Sequence, residues 1–255
     1  MDNLFDLTGK VAVVTGSTKG IGRAIAHRLA QHGARVVVSS RKEDACIAVR
    51  DEIREAGGEA ISVPCNISYK EELEKLVKAT RDEWGQIDVL VCNAAVNPYF
   101  GSTLDMPDSA LEKVLHCNIE SNIWLCQLVI PEMQERRDGS IIIVSSVGGF
   151  KGSAEIGAYT ISKAADMQIA RNLAVEFSPH NIRVNTIAPG LVKTDFARAL
   201  WEDEKRRTAR ESITPLRRLG EPDDIAGTAV LLASKAGSWI TGQTFTVDGG
   251  STIMN

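Results

Sequence analysis

The chain has 255 residues, 44% of them hydrophobic and 24% charged, which is close to ordinary globular usage and leaves material for a large core. A formal charge of -4 argues against nucleic acid as a partner, because holding a phosphate backbone needs a basic surface. The amino terminus lacks the charged and apolar regions of a signal peptide, and no uncharged apolar run reaches the roughly 18 residues that span a bilayer, so a soluble chain without a membrane partner is expected.

The first element is the β-branched run Val11-Ala12-Val13-Val14, which predicts a strand near Val11–Thr15. From Ile21 to His32 apolar residues recur at helical spacing until Gly33 ends the pattern. Between the two lies the glycine-rich turn Thr15-Gly16-Ser17-Thr18-Lys19-Gly20-Ile21-Gly22. Glycines 16, 20 and 22 allow a sharp turn, a close approach to a pyrophosphate and tight helix–strand packing, while the helix N-terminus offers free N–H groups to phosphate. The spacing is Gly-x-x-x-Gly-x-Gly rather than Gly-x-Gly-x-x-Gly, and taken alone it also suits a plain tight connection.

Further strands are predicted near Arg35–Ser39, Ala60–Val63, Val89–Cys92, Ser140–Val144, Ile182–Ile187 and Thr244–Val247, with helical patterns between them. Seven strands alternating with helices, with no Pro/Ser-rich linker, predict one α/β domain over residues 1–255, a doubly wound parallel sheet with helices on both faces. Ligands of such sheets bind beyond the carboxyl ends of the strands. Gly16 to Gly22, Ser40-Arg41, Asn66, Asn93, Ser145-Ser146 and Pro189-Gly190 follow the first six runs in turn.

Tyr159 and Lys163 then stand one helical turn apart in Ala158-Tyr159-Thr160-Ile161-Ser162-Lys163, on one face of the predicted helix. A free tyrosine, with a pKa of about 10, is a poor base at neutral pH, and a nearby cation favours its phenolate. An ammonium at Lys163 beside an oxidised nicotinamide would make Tyr159 a reversible proton donor. An isolated Tyr-x-x-x-Lys is an ordinary surface pair, so the glycine turn upstream carries the reading.

The remaining chemistry-bearing residues form no second constellation. Cysteines 46, 65, 92, 117 and 126 are odd in number, show no Cys-x-x-Cys spacing and read as reduced core residues of a cytoplasmic protein. His27, His32, His116 and His180 are scattered, and no metal is expected. Lys205, Arg206, Arg207 and Arg210 alternate with Glu202, Asp203, Glu204 and Glu211 as on a solvated helix.

Taken together these motifs resemble the short-chain dehydrogenase/reductase family, with a match running from Gly9-Lys10-Val11 to Val247-Asp248-Gly249-Gly250. It includes the turn at 15 to 22, Asn93-Ala94-Ala95, Asn118, Ser146, Tyr159, Lys163, and Pro189-Gly190 with Thr194. The resemblance implies a Rossmann-like subunit in which Ser146 holds the substrate oxygen, Tyr159 exchanges its proton, Lys163 binds the nicotinamide ribose and Asn118 helps to hold a water relay. Ser145 competes with Ser146, but the family's serine lies thirteen positions before the tyrosine, which selects Ser146. The cofactor residues implied are Gly16, Thr18, Lys19, Gly20, Ile21, Gly22, Ser40, Arg41, Asn66, Ile67, Asn93, Ala94, Ala95, Tyr159, Lys163, Pro189, Gly190, Val192 and Thr194.

Charge favours NADP(H) over NAD. The second strand ends Val38-Ser39-Ser40-Arg41 without the carboxylate that would accept a ribose 2′-OH, and Arg41 with Lys19 can meet a 2′-phosphate instead. The nearer likeness, in Cys92–Gly101, Ala188–Thr194 and Arg218–Pro222, is to NADPH-dependent carbonyl and retinal reductases. Their usual Asn-Asn-Ala-Gly is Cys92-Asn93-Ala94-Ala95 here, where the methyl of Ala95 would tighten the ribose pocket, and their peroxisomal tail is missing.

A small-molecule carbonyl or alcohol substrate of apolar character is expected, with Tyr99, Phe100, Gly148, Gly149, Phe150, Leu191, Phe196, Leu200 and Trp201 lining its pocket and residues 194–215 as a lid. Rival readings are an NAD-linked alcohol or sugar-acid dehydrogenase, a 3-oxoacyl carrier-protein reductase and, from another class, a non-catalytic NADP-binding sensor or scaffold. An enoyl reductase fits less well, because those relatives space their tyrosine and lysine further apart. Helical patterns at Ser109–Met133 and Ala158–Phe177 are mixed in polarity, and the family's habit implies a homotetramer, with a homodimer as the alternative.

Overall fold

Val11–Thr15, Val89–Cys92 and Gly139–Val144 are buried at every position, as strands covered on both faces must be. In the computed structural model, which describes residues 3–254, they belong to one sheet of seven parallel strands. These are β1 (Val11–Thr15), β2 (Arg35–Ser39), β3 (Glu59–Ser62), β4 (Val89–Cys92), β5 (Gly139–Val144), β6 (Ile182–Pro189) and β7 (Thr244–Val247), in the order β3-β2-β1-β4-β5-β6-β7. The helices are α1 (Gly20–Gln31), α2 (Glu43–Glu55), α3 (Lys70–Trp84), α4 (Asp108–Leu115), α5 (Ser121–Arg136), α6 (Gly157–Phe177), α7 (Arg198–Trp201), α8 (Glu204–Ser212) and α9 (Pro222–Ala233).

Side chains alternate along each strand and so divide the core in two. Ala12, Val14, Val36, Val38, Val91 and Ile142 pack with Ile25 and Leu29 of α1, Val49 of α2 and Ile225 of α9. Val13, Val37, Leu90, Ile141 and Ile143 meet Leu73 and Leu76 of α3, Leu125 and Val129 of α5 and Ala170 of α6. Each fully buried Val, Leu or Ile contributes about 1.5–3 kcal/mol, which fixes the strand register that the site depends on.

The expected strand centres hold, with small shifts at the ends. β3 begins at Glu59, and β6 runs on to Pro189 because Ala188 and Pro189 still pair with Thr246 and Val247. The pattern expected as one helix over Ser109–Met133 is α4 and α5 joined by a widened π turn at His116–Glu120. That turn carries Asn118, whose side chain is tied to Val96 and Ser162 instead of facing solvent. Because β1 lies between β2 and β4, the chain leaves the middle of the sheet in opposite directions there, and a crevice opens beyond the strand ends.

Candidate active site

That crevice is a cavity of about 1010 Å³, and every residue expected to contact a cofactor lines it. Its floor is the turn between β1 and α1, where Gly16 and Gly20 have φ of 65° and 56°, in the left-handed region that suits glycine. A Cβ on Gly22 would stand 2.4 Å from both the Gly16 carbonyl oxygen and Asn93 Nδ2, so nothing larger than hydrogen fits. Asn93 fastens the turn by donating to the carbonyls of Thr15 (2.9 Å) and Gly16 (3.2 Å), while Thr15 Oγ1 accepts from the backbone N–H groups of Asn93 and Ala94. The result is a backbone cradle at a helix N-terminus, shaped for a pyrophosphate.

At the end of β2, Ser40 and Arg41 line the cavity with no carboxylate between them. Lys19 lines the cavity too, but its amine is engaged 3.2 Å from Asp195, and both side chains are exposed. Asn66, after β3, uses its Oδ1 to accept from Ser68 N–H at 3.2 Å, which shapes the loop where it lines the cavity.

The reactive end is built by α6. Tyr159 is half-buried on the cavity wall, and Lys163 is buried beneath it with its amine 5.6 Å from the centre of the tyrosine ring. Lys163 Nζ donates to the Val144 carbonyl and to Asp166 Oδ2, each at 2.9 Å. Burial pushes the Lys163 amine down, but the Asp166 carboxylate, with Tyr159 behind it, outweighs this and leaves the amine above the ordinary lysine value. Burial pushes the Asp166 carboxyl up, and the Lys163 ammonium at 2.9 Å, with the hydrogen bond from Asn122, draws it only part of the way back.

The two serines after β5 part company. Ser145 is buried and donates to the Lys163 carbonyl at 2.7 Å, binding the strand end to α6. Ser146 faces the cavity, its Oγ accepting from Gly148 N–H at 3.0 Å. Gly149 follows because a Cβ there would lie 2.8–2.9 Å from Met167 and the Lys163 backbone.

Asn118 lies behind the wall rather than on it. Its Oδ1 accepts from Val96 N–H (2.8 Å) and its Nδ2 donates to the Val96 carbonyl (3.0 Å) and Ser162 Oγ (3.0 Å), so it joins α6 to the loop after β4. Of the expected substrate pocket, Phe100, Gly148, Leu191, Phe196 and Leu200 line the cavity. Tyr99, Gly149, Phe150 and Trp201 do not. The Tyr99 hydroxyl donates to the Ser102 carbonyl, and Trp201 Nε1 donates to the Thr194 carbonyl, so each ring is spent on its own loop. Asp166, Asn122 and Ser162 were missed, although Asp166 has a signal in sequence: a second charge three residues after Lys163 on the inner face of a helix.

Among the described residues no group of His, Cys, Asp and Glu is placed to hold a metal ion. A parallel sheet with a phosphate cradle at its switch point and a lysine-backed tyrosine on the opposite wall is the arrangement of a nicotinamide-linked oxidoreductase. The family model described as enoyl-(acyl carrier protein) reductase matches residues 16–252. The pig dehydrogenase/reductase SDR family member 4 is 45% identical over 248 residues, covering 96% of this chain and 88% of that protein, and the human protein of the same name matches to the same extent. Among solved structures, a 7α-hydroxysteroid dehydrogenase complexed with NADH and 7-oxo glycochenodeoxycholic acid superposes with a TM-score of 0.94 at 38% identity, covering 98% of each chain. A putative NAD(P)-dependent gluconate 5-dehydrogenase from Beutenbergia cavernae with bound NADP gives 0.94 at 34% identity, covering 98% of this chain and all of that one. The chain belongs to the short-chain dehydrogenase/reductase family of oxidoreductases.

Proposed function

We propose that the protein is an NADP(H)-dependent reductase of ketones or aldehydes, working reversibly between a carbonyl and a secondary alcohol. The observation that carries this is the buried Lys163 ammonium set 5.6 Å from the Tyr159 ring in the wall of the cavity that also holds the glycine cradle. The glycine turn supports a dinucleotide because Gly16, Gly20 and Gly22 line the cavity at the N-terminus of α1. A bound nicotinamide supplies or accepts the hydride.

The chain's own residues handle the rest. Tyr159 Oη gives its proton to the carbonyl oxygen as that oxygen gains charge, and Ser146 Oγ–H donates to the same oxygen and holds it in place. Lys163 supplies the adjacent positive charge that makes proton release from a phenol feasible. Asn118 fixes the loop after β4 against α6, through Val96 and Ser162, and so helps to hold the proton path behind the tyrosine. Arg41 at the end of β2 supports NADP(H), with Lys19 joining it by releasing an exposed ion pair to Asp195 worth no more than about 1 kcal/mol.

Phe100, Leu191, Phe196 and Leu200 favour an apolar substrate, and Phe196, tilted against the Tyr159 ring with centroids 5.8 Å apart, supports residues 194–215 as the lid. The five free, buried cysteines favour a cytoplasmic setting. Ile161 and Val175 on α6, exposed at 56% and 82%, favour an assembly through this helix, read as a homotetramer and checked by light scattering.

The test is NADPH consumption with a panel of ketones, aldehydes and quinones, beside NADH and beside Tyr159→Phe. Turnover at least about tenfold more efficient with NADPH is expected, falling about 10²–10⁴-fold in the variant. Full turnover in Tyr159→Phe refutes the proton donor, and equal efficiency with NADH refutes the cofactor assignment.

A further inference from the structure

The catalytic wall contains an ion pair that the reaction itself does not call for. Lys163 and Asp166 are side by side with side-chain exposures of 3% and 0%, and desolvating two charges costs several kcal/mol per ion unless each is well partnered. Here both are. An ammonium has three donors, and two are taken by Asp166 and the Val144 carbonyl. The other carboxylate oxygen of Asp166 accepts from Asn122 Nδ2 at 3.0 Å, reaching across from α5. Asn122 also donates to the Asn118 carbonyl at 2.8 Å, so the π turn and the ion pair share one amide.

Other groups face the pair from each neighbouring element. Tyr159 comes from α6 itself and Cys92 from β4, with Cys126 of α5 against Cys92. The hydrogen bond from Cys126 and burial push the Cys92 thiol well above its ordinary value, so it stays neutral. Asn118 and Asn122 carry no charge. The negative charge opposite the ammonium is therefore that of Asp166.

We propose that Asp166, clamped by Asn122, is a positioning residue that keeps the Lys163 amine charged and fixed in its buried place beneath Tyr159. The claim deepens the reading of Tyr159 and Lys163 as the proton-handling pair and rests on it for its meaning in turnover, but not for its titration. With the carboxylate gone, an amine this deeply buried keeps only the Val144 carbonyl as an anchor, and desolvation favours its neutral form. The amine then loses its charge at a lower pH than in the unsubstituted protein.

The experiment is carbon-13 NMR of lysine side chains in the protein without cofactor, with the Lys163 signal assigned by its disappearance in Lys163→Arg. In the unsubstituted protein the signal is expected to hold its ammonium position from pH 7 to about pH 9 and to titrate no lower than the free lysine value of about 10.4. In Asp166→Asn it is expected to titrate at least about one pH unit lower, and Asp166→Glu, which keeps the charge, is expected to restore it. A packing role alone would lower the melting temperature of both variants without moving the titration. An unmoved signal in a folded Asp166→Asn overturns the proposal. If that variant does not fold, the unsubstituted protein decides alone, since titration of Lys163 below the free lysine value overturns it as well. Absence of carbonyl turnover, by contrast, would refute the functional reading and leave this titration standing.

Discussion

Two walls face the same cavity and are held in opposite ways. The inner wall, formed by α6, the strand ends and the glycine turn, buries what lies behind the half-buried Tyr159: Ala158, Thr160, Ser162, Lys163 and Asp166 are all buried. The outer wall, residues 194–215, has no buried residue in either α7 or α8. It meets the inner wall through exposed contacts, chiefly Phe196 against the Tyr159 ring and Asp195 on Lys19. Burial fixes the groups that must be placed to a fraction of an ångström, whereas an exposed segment can change its contacts at little cost. Under the proposed function, the difference would leave proton handling to the inner wall and the choice of substrate to the outer one.

The strongest way to break the inner wall is Gly22→Ala. The new methyl has no room between the Gly16 carbonyl and Asn93 Nδ2, so the turn must shift. The expected result is a loss of about 1–3 kcal/mol in denaturant unfolding and at least about tenfold in NADPH affinity by fluorescence titration. Unchanged affinity would mean that the cradle is not the phosphate site.

The outer wall should respond differently. Phe196→Ala removes an exposed ring at 56% accessibility, so stability is expected to stay within about 0.5 kcal/mol. KM for a bulky apolar ketone should rise about 3–10-fold while kcat changes less than about twofold, the pattern of lost binding shared by ground and transition states. A large fall in kcat with KM unchanged would place Phe196 in the chemistry and erase the contrast between the walls.

What the sequence made legible follows the same division. Strands covered on both faces have to be continuous apolar runs, so Val11–Thr15 and Val89–Cys92 could be read to the residue. The glycine turn and the Tyr159–Lys163 pair were legible because their geometry is local. The partners that fix them are not local: Asn93 reaches back to Thr15, and Asn122 on α5 meets Asp166 on α6. Nor does an apolar period reveal that His116–Glu120 widens into a π turn, since one extra residue leaves the neighbouring pattern in place. Tyr99 and Trp201 were misread as pocket residues because position after a strand does not say which way a ring turns. Their polar atoms decided it by bonding to the Ser102 and Thr194 carbonyls.

The smallest expected effect tests where the outer segment rejoins the rigid fold. At the start of α9, Asp224 accepts from Glu221 N–H at 2.8 Å and takes both Nη groups of Arg218, at 2.5 and 2.8 Å. Arg218 first, and the Glu221 N–H second, hold the Asp224 carboxyl down at about 2. A depressed value means that the carboxylate's contribution is present above the unfolded aspartate value, about 3.9, and is lost as pH falls through the folded one. Asp224→Asn should therefore lower the melting temperature at pH 7 by about 2–4 °C, the size of a lost helix cap of about 1 kcal/mol in a domain of this length. Because the pair is near the surface, added salt should shrink its ionic part, and the gap between variant and unsubstituted protein should close as pH falls from about 4 towards 2. A gap that persists unchanged at low pH would show that α9 is anchored by packing alone, as Ile225, Ala229 and Val230 against the sheet would then suffice.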